Sequence, residues 1–115
     1  VSSASTPFDS SIGNFEQPVL PIADPAGFAA VRTAIEAAFS SSRVADFLKS
    51  LERSGVRIRH FEQVLDKGLL GAATKDQYNR LGNADQGQIR EYYLASLERV
   101  PVELRNKFFK LYAYY

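Results

Sequence analysis

The chain has 115 residues, 45% of them hydrophobic and 23% charged, and a net charge of +1, which suits one globular domain built on a single core. It contains no cysteine and one histidine. Disulfide scaffolds, thiolate metal sites, iron–sulfur ligation and cysteine nucleophiles are therefore excluded, and most histidine-based catalytic and metal sites lack the side chains they need.

No apolar run approaches the roughly 18–20 residues of a membrane span, so none is expected. Charge is unevenly laid out. Residues 1–31 carry Asp9, Glu16 and Asp24 and no Lys or Arg, whereas residues 32–115 carry all 14 basic side chains against 10 of the 13 acidic ones. The pI of about 8.2 falls short of the value above ~9 that marks a nucleic-acid footprint, so no nucleic-acid partner is expected. The chain begins Val1-Ser-Ser-Ala-Ser-Thr-Pro7 and has no methionine. This start is read as the small-residue end left by removal of a targeting peptide, with a trimmed chain as the alternative.

Residues 1–24 are expected to form an extended arm. Pro7, Pro18, Pro21 and Gly13 stand among Ser, Asn and Asp without helical period, and each proline biases the residue before it toward extended backbone. Phe8, Phe15, Val19, Leu20 and Ile22 make the arm apolar enough to dock on the body or on a partner.

Residues 25–115 are expected to form an all-α domain: four principal helices in an up-down type bundle plus one short helix. Asp24 as N-cap and Pro25 at the first helical position open the first helix, whose apolar face is Phe28, Val31, Ile35, Ala38 and Phe39. Ser40-Ser-Ser42 ends it and offers the next cap. Val44, Leu51, Ile58 and Leu65 then recur every seven residues. This phase predicts one helix from about Arg43 to Lys67, with Ser54 and Gly55 marking close approach of a neighbour; two helices meeting at Gly55 are the alternative. Gly68-Leu-Leu-Gly71 stops that helix. Thr74 with Gln77 reads as a capping box for a short helix carrying Tyr78 and Leu81. Another helix starts near Asn83–Asp85 and carries Ile89, Tyr92, Tyr93, Leu97 and Val100. Pro101 opens the last, bearing Leu104, Phe108, Leu111, Tyr112 and Tyr115. No strand-like alternation is read anywhere.

Few constellations carry chemistry. His60 has Gln63 and Val64 at i+3 and i+4, so no local dyad forms. Glu62 and Asp66 lie on one helical face without the further oxygens that calcium requires. Phosphate loops and nucleophile elbows are absent. No catalytic residue, cofactor site or metal site is assigned, and the chain is read as a non-enzyme. Two surfaces are candidates for partner docking. Lys49, Arg53, Arg57, His60 and Lys67 follow helical spacing along one ridge, with Arg59 slightly off it; such a ridge suits an acidic protein surface. Seven of the 14 aromatics fall in the last 24 residues, and the wide apolar arc they make points to core packing or to an interface involving Phe109, Tyr112, Tyr114 and Tyr115.

Three features together resemble the PsbQ-like extrinsic subunits of photosystem II, including the small diatom-type member. They are the proline-containing arm ahead of an all-α body, Val44-Ala-Asp-Phe47-Leu48 followed by Val56-Arg57-Ile58-Arg59, and Arg90-Glu91-Tyr92-Tyr93. The second is similar to that family's long helix with its Leu-Arg-Leu-Arg stretch, and the third to the opening of its last bundle helix. The glycines at 68, 71 and 82 and the helix from Pro101 to Tyr115 depart from the family pattern. The resemblance implies a peripheral, non-catalytic protein of the thylakoid lumen. It would dock on protein subunits of photosystem II and stabilise the oxygen-evolving centre without binding its metals. The alternatives from the residues alone are a secreted or cytosolic helical interaction module, or a small apolar-ligand carrier.

Overall fold

The computed structural model describes residues 21–112. Most of the expected arm, together with Tyr114 and Tyr115, lies outside the described residues. Helix α1 (Pro25–Ala38) starts as its sequence dictates: the Asp24 carboxylate accepts the Gly27 N–H at 3.1 Å, and Pro25 occupies the first turn. Val31 and Ile35 are fully buried, and α1 packs on α4 (Ala72–Arg80) and α5 (Asn83–Leu97). The close approach is at Gly27, where a Cβ would stand 2.6 Å from Gln77 Nε2 of α4 and 2.5 Å from Asp24 Oδ2.

The long second helix is not formed. Instead α2 (Val44–Ser54) and α3 (Phe61–Asp66) are separated by a link over 55–60. Gly55 adopts φ +70, the Gly55 N–H bonds Glu52 O at 3.1 Å and the Val56 N–H bonds Leu51 O at 3.0 Å. That pair of bonds is the left-handed glycine stop in which the next residue packs back on the helix. The heptad spacing misleads because Val56 and Ile58 are buried in the link while Arg57 and Arg59 are exposed. This is period-two alternation, and it keeps Ile58 in the core without a helix. Nothing lies within 4 Å of a Cβ built on Gly55, so its role is conformational and no neighbour approaches there.

Other boundaries shift for local reasons. Arg43, not a serine, stands at the N-cap of α2 and makes no side-chain cap bond. Helix α4 begins at Ala72 behind Gly71 (φ +97), so Thr74 sits inside the first turn and no capping box forms. The last helix is also split, into α6 (Val102–Lys107) and α7 (Phe109–Tyr112), with Phe108 outside helical geometry at φ −112, ψ 34. Seven helices therefore replace the five expected, and the described residues are all-helical with no strand among them.

A run of aromatic contacts joins five of these segments. Phe39, after α1, meets Phe47 of α2 at 5.2 Å between ring centroids and Tyr93 of α5 at 5.7 Å. Phe61 of α3 meets Tyr93 at 4.8 Å and Tyr78 of α4 at 5.4 Å. The three edge contacts among them add about 0.5–1.5 kcal/mol each to the burial of the rings. Phe61 follows the link directly, so its seating in this cluster fixes where Arg57, Arg59 and His60 lie.

Candidate docking surface

The residues read as a basic ridge divide among three places. Lys49 and Arg53 are exposed on α2, Arg57 and Arg59 are exposed on the link, His60 is the N-cap of α3, and Lys67 is its C-cap. His60 Nδ1 lies 3.3 Å from Gln63 Oε1. Because the helix stops at Gly55, the ridge is not one continuous line. The link instead carries its cations to the C-terminal segment: the Arg57 guanidinium donates to the Lys110 carbonyl of α7. Arg59 lines a half-open cleft of about 550 Å³ together with Arg105 of α6 and Tyr112 of α7. Glu91 of α5 and Glu98, the C-cap after it, line it too, beside Ile58, Leu94 and Leu97. Arg105 is fixed in place by donating to Val100 O at 3.0 Å and Glu98 O at 3.3 Å.

Arg105, Lys107 and Lys110 were not singled out from the sequence. Their signal was indirect: alternation in Val56-Arg57-Ile58-Arg59 buries the two apolar residues and leaves both arginines exposed.

The two carboxylates on one face of α3, Glu62 and Asp66, each find a cation on another element. Glu62 accepts from the Tyr78 hydroxyl at 3.0 Å and from Arg90 at 3.2 Å, and Arg90 also donates to the Tyr78 oxygen at 2.9 Å. Asp66 pairs with Lys75 at 3.5 Å. Burial raises the Tyr78 phenol above its ordinary value; the Arg90 bond opposes this and the Glu62 bond adds to it. Tyr78 therefore keeps its proton at neutral pH and acts as a donor joining α3, α4 and α5. Tyr92 likewise donates to Glu36 of α1 at 2.7 Å, with Arg99 lying 5.8 Å above its ring. These are ties between helices.

The C-terminal aromatics part company. Phe108 is buried, Phe109 is 61% exposed, and Tyr112 is half-buried with its hydroxyl hidden from solvent. Val102 is 55% exposed. The Tyr93 hydroxyl is also hidden, and neither it nor that of Tyr112 has a hydrogen-bond partner among the described residues. Also among the described residues, no three His, Asp or Glu side chains form a metal-binding group, and no helix is long and apolar enough to cross a membrane.

The arrangement presents cations from the link and from α6–α7 beside an exposed aromatic, a surface suited to contact with a negatively charged partner. No protein-family model, curated protein or solved structure matches this chain.

Proposed function

We propose that the chain is a non-catalytic helical docking protein, a peripheral subunit of a larger assembly, and that this assembly is photosystem II at its lumenal face. Its task is to stabilise the surroundings of the oxygen-evolving centre. The observation that carries the docking reading is the contact of Arg57 with the Lys110 carbonyl. It brings Arg57 of the link to Lys110 of α7, and Arg59 beside it in the chain shares a cleft with Arg105 of α6. Charge collected in this way steers encounter and fixes register on an acidic surface. An up-down arrangement of four principal helices belongs to the same reading, with α1, α2, α4 and α5 as the longest elements.

The choice of photosystem II rests on the proline-containing arm and on Arg90-Glu91-Tyr92-Tyr93. The Val56–Arg59 stretch lends it no weight, because in the family it resembles that stretch belongs to a long helix and here it is a link. Rebinding of the chain to salt-washed photosystem II membranes tests the proposal. Saturable binding at low ionic strength that high salt reverses, together with recovered oxygen evolution, is the expected result. No rebinding to membranes from several algal lineages would overturn the assignment to photosystem II.

A further inference from the structure

Among the described residues the exposed large hydrophobic side chains are Val102 and Phe109. Both belong to the same eleven-residue stretch, α6–α7, so they are not the scattered single side chains of an ordinary surface. Phe108 and Leu111 are buried in the core, while Val102 at the start of α6 and Phe109 at the start of α7 are exposed. Exposed Lys107 and Lys110 flank Phe109, and among the described residues neither lysine is in an ion pair. Arg57, bonded to the Lys110 carbonyl, adds a third cation, and Glu103 is the one acidic side chain of the stretch.

We infer that α6–α7 docks directly on an anionic bilayer surface, with Phe109 and Val102 entering the headgroup region and Lys107, Lys110 and Arg57 among the lipid phosphates. The charge complementarity is that of an interfacial segment, in which lysines beside an aromatic extend their charged ends to the headgroups while the ring enters below them. Size separates a bilayer from a protein partner. A stable protein interface takes about 800 Å² from each side, far more than two side chains supply. Surface attachment instead needs only a shallow apolar insertion and a few cations, each adding its own increment. This inference concerns α6–α7 together with Arg57 of the link, which the docking reading also uses, and its vesicle test does not depend on the assignment to photosystem II.

Co-sedimentation of the full chain with protein-free vesicles tests it. The vesicles are phosphatidylcholine alone or with about 30% phosphatidylserine, at roughly 50 and 500 mM salt. The expected result is binding to the phosphatidylserine vesicles only, reversed by the higher salt. Lys107→Glu with Lys110→Glu should weaken it by at least about 30-fold, and Phe109→Ala by about tenfold. All three substitutions are at exposed positions, and unchanged circular dichroism and melting temperature check that the fold is kept. No binding to the phosphatidylserine vesicles, equal binding to both vesicle types, or variants that bind like the wild type would each overturn the inference. Retained rebinding to salt-washed membranes without vesicle binding would assign this face to a protein and leave the docking reading standing.

Discussion

Asp85 Oδ2 accepts the backbone N–H of Asp24 at 3.0 Å, and Asp85 Oδ1 accepts that of Ala23, also at 3.0 Å. Asp85 is 1% exposed in the first turn of α5. Asp24 in turn caps α1 through Gly27, so a single buried carboxylate holds the backbone of residues 23 and 24 at the start of α1.

Replacing Asp85 with alanine should therefore cost more than an ordinary surface change. Two backbone donors on partly exposed residues lose the carboxylate that accepts from them, which amounts to about 2–3 kcal/mol. Asp85→Asn keeps one acceptor oxygen and should cost about half as much. Urea unfolding of the wild type and the two variants checks the ranking; variants as stable as the wild type would show that the two bonds contribute nothing net.

At Gly55 the split of the expected long helix fixes the sign of a mutational effect. With φ at +70, alanine is placed in the left-handed region, and Gly55→Ala should destabilise by about 1–2 kcal/mol. In a continuous helix the same change would stabilise by about 1 kcal/mol. The space around Gly55 is open, so no clash confuses the reading. Thermal melts of the variant decide between the two backbones.

Tyr93 links core burial to pH. Burial first, and then the nearby Tyr112, hold its phenol well above the ordinary 10.0. Above about pH 10 the unfolded chain gives up this proton while the folded chain keeps it. The folded state then binds more protons, so stability falls as pH rises past 10 and is unaffected below about pH 9. Tyr78, Tyr92 and Tyr112 are shifted in the same direction by burial. Tyr93→Phe should remove much of the alkaline loss. It should also leave stability at neutral pH unchanged or raise it by about 1 kcal/mol, because the hydroxyl it deletes has no partner among the described residues. Denaturant midpoints from pH 7 to 11 check both; an unchanged alkaline limb would contradict the role of Tyr93.

What could be read from the sequence depended on whether a signal was local. Asp24-Pro25 announced α1 because a cap and a fixed proline φ act within one turn. Gly68 was read as a stop and forms the same bonded turn as Gly55: its N–H bonds Leu65 O and that of Leu69 bonds Val64 O. At Gly55 the same local signal was present, a glycine followed by an apolar residue that packs back on Leu51, but the seven-residue spacing of Val44, Leu51, Ile58 and Leu65 outweighed it. All four are buried, so the burial pattern was right and the backbone assigned to it was wrong. Arg57 and Lys110 are 53 residues apart, and no pattern within either segment encodes their contact.

The division of the basic residues supplies the most direct test of docking. Two variants, Lys49→Glu with Arg53→Glu on α2 and Arg57→Glu with Arg59→Glu on the link, carry the same change in charge. Each is compared with wild type for rebinding to salt-washed photosystem II membranes at low ionic strength. If the surface gathered around the link is the docking face, the link variant loses about tenfold or more in affinity while the α2 variant stays within about threefold of wild type. Equal losses in both variants, or a loss confined to the α2 variant, would contradict a docking face built by the Gly55 break.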